Sequence, residues 1–278
     1  MDIGFSLKDA VEKRYSVRTY DNRPLDAGTK QNLLSYADAL QNPLGPKIRV
    51  QFIERETAAN GEKLGTYGII KGTGCFLGVT VPDDEQALEA LGYDFEQLVL
   101  YATSLGLGTC WLGGTFNRSA FTAAMEIKEN ELFPILSPIG WPAGKKSLTE
   151  KIMRRYVKAD ARLSWDKLFF KDDFSTPLSK EESGDYAFPL EMLRLAPSAV
   201  NGQPWRVLIK DDAVYFFKKG SAVREAMSVD MQQIDLGIAI CHFDLAVQEM
   251  GISGRFDREA PDFDVPEELS FVARWIKE

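Results

Sequence analysis

Ala90-Leu-Gly-Tyr-Asp-Phe-Glu-Gln-Leu-Val-Leu-Tyr-Ala-Thr-Ser-Leu-Gly106 and Asp235-Leu-Gly-Ile-Ala-Ile-Cys-His-Phe-Asp-Leu-Ala-Val-Gln-Glu-Met-Gly251 read as one long helix written twice, expected over about Glu85–Leu105 and about Gln232–Met250. Leu91-Gly92 falls on Leu236-Gly237, Leu100 on Leu245 and Gly106 on Gly251, at one offset (236 − 91 = 145; 251 − 106 = 145). Self-similarity at a constant offset marks a repeated unit. Upstream, Arg49-Val50 falls on Arg206-Val207 and Gly45 on Gly202 (206 − 49 = 157), a register that also sets Leu33 on Leu190, Tyr36 on Leu193 and Ala39 on Ala196. The two offsets differ by 12, which predicts one inter-element loop of different length.

Other elements extend outward from these helices. Ser6 can cap a helix running to about Tyr15, and Asp26 a second one. Strands are expected at Ile48–Ile53, Cys75–Val81, Thr109–Leu112 and Ile135–Trp141, then at Trp205–Lys210, Val214–Lys218, Ile252–Phe256 and Leu269–Ile276. A helix is expected over Phe188–Ala196. The polar, turn-rich stretch 171–185 reads as a linker between a first half, 1–170, and a second, 186–278. The strands pair as hairpins, so the fold class is α+β, a sandwich and not a doubly wound parallel sheet.

Composition narrows the function. The 278 residues carry 33 Lys+Arg against 41 Asp+Glu, a net charge of −8, which argues against duplex nucleic acid as partner. No apolar run approaches the ~20 residues of a membrane span. The opening MDIGFSLKDAVEKRYS has no apolar signal core, and Cys75, Cys110 and Cys241 share no metal-ligand spacing. Both features read as a cytoplasmic protein with reduced, buried thiols. One histidine, His242, makes a Ser-His-Asp hydrolase or a His-based zinc site improbable.

Four segments could carry chemistry. Arg14-Tyr15-Ser16-Val17-Arg18 offers two guanidinium forks and a hydroxyl, donors suited to phosphate, or two solvated cations at a helix end. Ala196-Pro-Ser-Ala-Val-Asn-Gly-Gln-Pro-Trp-Arg206 places Ser198, Asn201 and Gln203 in one short loop, able to address a planar heterocycle or simply to turn the chain. Gly106-Leu-Gly-Thr-Cys-Trp-Leu-Gly-Gly114 lacks the strand-then-helix context of a dinucleotide fingerprint, leaving a close approach to a flat ligand or tight packing. The basic run Lys145, Lys146, Lys151, Arg154, Arg155, Lys158 and Arg162 is mostly a solvated helix face, from which one or two members could reach an anionic ligand.

Together the first three segments resemble the signature segments of the FMN-dependent nitroreductase family, and specifically its monomer-length branch. In that family the first two motifs lie close together in a one-domain chain, and FMN sits at a homodimer interface with one motif from each subunit. Here they stand about 180 residues apart. The first-half match of the second motif, Leu40-Gln-Asn-Pro-Leu-Gly-Pro-Lys47, and the second-half match of the first, Lys171-Asp-Asp-Phe-Ser175, have each lost the pattern. The resemblance therefore implies a fused dimer, two degenerate repeats forming an intramolecular pseudo-dimer with one surviving site.

Carried over by residue, it implies Arg14, Ser16 and Arg162 at the FMN phosphate, with Tyr15 beside them. Arg18 is expected at the pyrimidine edge, and Leu112, Gly113 and Gly114 near the reactive ring nitrogen. Pro197, Ser198, Ala199 and Asn201 are expected along the dimethylbenzene or ribityl side, and Tyr67 and Gly68 as backbone contacts. The implied activity is hydride transfer from NAD(P)H (NADH or NADPH) through FMN to a small-molecule acceptor such as a nitroaromatic or quinone, in a monomer. A flavin store or sensor without turnover is the alternative.

Overall fold

The computed structural model describes residues 3–54, 61–145, 147–220 and 229–278; Lys146 of the basic run lies outside them. In chain order the elements are α1 (Leu7–Lys13), α2 (Ala27–Ala39), β1 (Arg49–Ile53), β2 (Phe76–Pro82), α3 (Ala87–Ser104), β3 (Gly108–Thr109), α4 (Arg118–Met125), β4 (Glu131–Gly140), α5 (Leu148–Tyr156), β5 (Phe169–Lys171), β6 (Asp173–Pro177), α6 (Ala187–Leu195), β7 (Trp205–Lys210), β8 (Ala213–Lys219), α7 (Met231–Glu249), β9 (Gly254–Asp257) and β10 (Leu269–Lys277). Ser6 and Asp26 cap α1 and α2 by accepting from Asp9 N (3.3 Å) and Thr29 N (2.9 Å). Such caps contribute about 1 kcal/mol each.

Two sheets form, ordered β1-β2-β4-β3 and β6-β5-β7-β8-β10-β9. Without β5 and β6 the second order repeats the first strand for strand. The helices α2 and α6, and α3 and α7, stand at matching places in each half. Among the described residues all strand pairs are antiparallel except β5 with β7.

The register corrects the single-loop expectation. Arg49 faces Thr80 across its hairpin, and its match Arg206 faces Phe217, an offset of 217 − 80 = 137. The chain between β1 and β2 is thus 20 residues longer than its second-half match (157 − 137), and the one between β2 and α3 is 8 shorter (145 − 137).

Stretch 171–185 is not a free tether. It holds β6, and β5 just before it pairs in parallel with β7, Phe169 opposite Val207. The end of the first half is stitched into the second half's sheet, so sheet membership divides the chain before Phe169. The apolar Phe169, Phe170 and Phe174 drive this docking, and Leu168 and Phe169 are fully buried. Helix α4, capped by Asn117, was not among the expected elements, although Ala120, Phe121, Ala124 and Met125 give it an apolar face.

α3 and α7 form the seam. Both are buried on nearly every face, the condition of a helix apolar all round. They cross at Gly92 and Gly237, the two glycines matched by the repeat. A Cβ on Gly92 would overlap the Ile234 carbonyl oxygen and stand 3.1 Å from Gly237 Cα; one on Gly237 would overlap the Glu89 carbonyl. Tyr93 OH donates to Asp244 Oδ2 across the same crossing.

Candidate functional site

The segment after α1 leaves the helix at Arg14 and runs extended beside β3. Val17 N donates to Thr109 O (2.8 Å), and Ser16 bridges Thr109. This approach needs Gly108, where a Cβ would lie 2.6 Å from Val17 Cγ2. The glycine segment thus serves close packing of the Arg14–Arg18 stretch before its Leu112–Gly114 end turns toward the site.

On the far side of the seam, Pro197 ends α6 and starts the second motif's loop. Val200, Asn201 and Gln203 all take left-handed backbone (φ 49°, 58° and 49°), a costly conformation for valine above all. The loop's polar side chains hold that shape. Ser198 Oγ accepts from Gln203 N (2.9 Å), and Ala199 N donates to Asp235 Oδ1 (2.9 Å). Asn201 Nδ2 donates to Lys158 O (2.9 Å) and Ala161 O (3.0 Å), and Gln203 Oε1 accepts from Leu163 N (2.8 Å). The amides of Asn201 and Gln203 therefore scaffold the loop; the sequence had offered them as donors to a heterocycle.

Between these walls lies a cavity of about 790 Å³. Arg14, Tyr15, Ser16 and Arg18 line one wall, with Leu112, Gly113 and Gly114 beside them. Arg162, Pro197, Ser198, Ala199 and Asn201 line the other. Tyr67 and Gly68 are not among the lining residues. Tyr67 is 72% exposed, Gly68 borders a different cavity, and Ile69 reaches this one instead. Their positive φ values (51° and 75°) turn the chain so that the next side chain faces inward. Residue reasoning missed Trp111, Arg154 and Asp235 as wall residues, although each lies inside a quoted segment.

The cavity's electrostatics are set by guanidiniums. Arg14 Nε, Arg18 Nε and Arg162 Nε are all buried with no hydrogen-bond partner among the described residues. Burial lowers Arg14 despite Glu96 nearby. Burial, then the charges of Arg14 and Arg194, bring Arg162 down to about 10. Arg162 is fixed by Leu195 O (3.0 Å), Ala159 O (3.0 Å), Ala161 O (2.9 Å) and Asn201 Oδ1 (3.3 Å), and Arg154 pairs with Asp160. Orphaned buried donors cost free energy unless an acceptor meets them. Three guanidiniums lining one cavity suit a multi-oxygen anion, and the apolar remainder suits a flat ring. FMN has both parts. Cys110 is buried, and burial pushes its thiol up, so it is packing and not a nucleophile.

At the pseudosymmetric position the loop is held differently. Leu44, the match of Asn201, is buried. Arg258 donates to Leu44 O (3.0 Å) and Val272 O (2.9 Å), so the degenerate loop is tied down by protein.

Asp235 yields a testable consequence. Burial first, then the Asp230 charge, push its carboxyl up to about 8 against the Ala199 N–H, which lowers it. A carboxyl raised above its usual ~4 contributes stability that is complete at acid pH and is lost as pH rises toward 8. Asp235→Asn keeps an acceptor for Ala199 N–H and removes the charge. The variant is expected to melt higher than wild type at pH 9, with the gap closing by pH 4. Equal gaps at both pH values in thermal melts would contradict a raised Asp235.

Comparison with known proteins agrees with this architecture. The family described as "Putative TM nitroreductase" matches residues 6–247. A Thermotoga maritima structure described as a "putative nitroreductase" superposes with TM-score 0.61 at 17% identity, covering 98% of this chain and 93% of its own. A nitroreductase family protein from Clostridium difficile 630 covers 53% of this chain and 90% of its own, at 18% identity and TM-score 0.40. A structure described as an oxidoreductase containing FMN covers 49% of this chain and 76% of its own, at 16% identity and TM-score 0.39. No curated protein matches the chain. By the extent of that family match, this chain, with its two-repeat α+β fold, belongs to the TM-type nitroreductase family.

Proposed function

We propose that the chain is an FMN-dependent oxidoreductase that takes hydride from NADH or NADPH and reduces a nitroaromatic, quinone or similar planar acceptor. The observation that carries this reading is that three guanidiniums lining one largely apolar cavity each bury an Nε with no hydrogen-bond partner among the described residues. Arg14, Ser16 and Arg162 would hold the phosphate, with Tyr15 beside them. Arg18 would stand at the pyrimidine edge, where a cation favours the reduced ring. Backbone N–H groups of Gly113 and Gly114 would face the ring, while Leu112 N donates to Leu136 O (2.9 Å) and holds the segment to β4, and Pro197, Ser198 and Ala199 would cover its other side. Asn201 locks that loop to the Arg162 segment. Bound FMN supplies the two-electron chemistry. The chain binds and orients it, and Ile69, Met153 and Val157 keep the wall apolar.

The test is the absorption spectrum of purified protein, followed by NADH or NADPH without oxygen. Bleaching of the flavin colour supports the enzyme. Colour that persists under both donors assigns a store or sensor instead, and colourless protein that ignores added FMN refutes the flavin reading.

One FMN per chain is expected, because Arg258 and Leu44 occupy the matching position. Titration should saturate at one equivalent, and saturation at two would defeat the single-site reading. The site is completed within one chain, so the working unit is a monomer. Mixing Arg14→Ala with Asn201→Ala should restore no flavin binding. The buried free cysteines suit a reducing cytoplasm, and no helix among the described residues is long and apolar enough to cross a membrane.

A further inference from the structure

The chain's one histidine stands behind the cavity wall with no role in the reading above. His242 on α7 and Glu96 on α3 are both fully buried, and His242 Nε2 lies 3.0 Å from Glu96 Oε1. The other ring nitrogen, Nδ1, lies 2.9 Å from Met192 O. A carbonyl oxygen only accepts, so Nδ1 carries a hydrogen. A 3.0 Å contact between Nε2 and a carboxyl oxygen also needs a hydrogen between them. Besides the Nδ1 hydrogen, the pair therefore shares one proton between Nε2 and Oε1, whichever atom bears it.

Glu96 in turn stands behind two cavity residues. Its Oε2 accepts from Trp111 Nε1 (2.9 Å), and Arg14 Nε lies 3.8 Å from its Oε1. The proton shared with His242 cancels the Glu96 charge. Arg14 is then oriented by Glu96 but not neutralised by it, and its positive charge remains for an anion in the cavity. Without the imidazole, a buried carboxylate beside Arg14 would claim that charge, since ion pairs are strong where water is excluded.

We propose that Glu96 and His242, one from each half, are positioning residues that orient Arg14 and Trp111 and keep the Arg14 charge available to an anionic ligand group. The inference rests on the phosphate reading of Arg14 given above.

The test compares FMN with riboflavin, which lacks the phosphate, in fluorescence titrations. His242→Gln removes the compensating proton and should weaken FMN roughly tenfold or more, the effect of losing one charge-assisted contact, while leaving riboflavin unchanged. The double variant His242→Gln/Glu96→Gln removes the stranded carboxylate as well and should bind FMN within about twofold of Glu96→Gln alone. In an Arg14→Ala background His242→Gln should have no further effect. Equal losses for FMN and riboflavin, or a double variant weaker than His242→Gln, would mean a merely structural pair and overturn the proposal.

A second readout needs neither flavin nor an altered His242. The sole imidazole gives one set of nitrogen-15 resonances, which should show hydrogen on Nδ1 and should shift in Arg14→Ala protein. An Nδ1 without hydrogen, or resonances blind to Arg14, overturns the pair even if FMN proves not to be the ligand. Failure of wild type to prefer FMN over riboflavin, with the imidazole behaving as expected, would instead refute the phosphate reading alone.

Discussion

Gly92→Ala should cost far more stability than a methyl added where a helix has open space beside it. In an exposed helix the same change stabilises by about 1 kcal/mol. Here the added carbon meets the Ile234 carbonyl oxygen, which is backbone and cannot rotate aside. The two helices must separate instead, and they carry much of the core, from Leu91 and Phe95 to Ile238 and Phe243. Overpacking of this kind costs about 1–3 kcal/mol when side chains can adjust, and more when they cannot. For a chain of this size that corresponds to a melting temperature lower by at least about 5 °C. Gly237→Ala should do the same against Glu89 O, and the double variant should fall short of the sum, because one separation accommodates both methyls. Gly144→Ala, where a Cβ meets nothing within 4 Å, is the control and should melt as wild type does. Because the cavity is walled from both halves, Gly92→Ala should also weaken flavin binding. A Gly92→Ala protein as stable as wild type would mean that the helices do not cross at this pair.

The same crossing shows how much of the fold was legible. Leu91-Gly92 and Leu236-Gly237 matched as letters, and the structure gives the match a cause: two helices related by pseudosymmetry can approach only where both lack a side chain. A fully buried helix leaves a broad apolar signal, so α3 and α7 were readable nearly to the residue. Stretch 171–185 was not. Its polar letters are edge-strand and turn residues, and the parallel pairing of Phe169 with Val207 is a contact between distant segments that no local pattern records. Strand β3 is shorter than expected because Cys110 N donates to Ser137 Oγ (3.0 Å) and leaves the ladder. In the site, Arg14–Arg18, Leu112–Gly114 and the Pro197–Asn201 loop converge on one cavity, as the motif letters implied. What the letters hid was division of labour. Asn201 and Gln203 face backbone groups, and Trp111 and Asp235 reach the wall from within segments noticed for other reasons. Tyr67 and Gly68 could not be placed because their loop belongs to the β1–β2 connection, which is 20 residues longer than its second-half match.

Arg14→Ala and Arg162→Ala should both weaken FMN, but in different ways. Among the described residues Arg14 is anchored by the approach of its Nε to Glu96 Oε1 at 3.8 Å, and that Nε has no hydrogen-bond partner. Its removal subtracts one charge-assisted contact, worth about 1.5–3 kcal/mol or roughly ten- to hundredfold in affinity. The fold should survive, since Glu96 keeps His242 and Trp111 as partners. Arg162 does more. Its guanidinium joins Leu195 O, Ala159 O, Ala161 O and Asn201 Oδ1, so it ties the end of α6 and the second motif's loop to the segment after α5. Arg162→Ala should therefore match or exceed the affinity loss of Arg14→Ala and also lower the melting temperature of the flavin-free protein. Arg162→Lys should rescue neither, because one ammonium cannot serve four acceptors and a phosphate from that position. Calorimetric titration with FMN and melts of flavin-free protein separate the two cases. An Arg162→Ala protein that binds FMN like wild type while melting lower would leave Arg162 a purely structural tie and transfer the phosphate to Arg14 and Arg154.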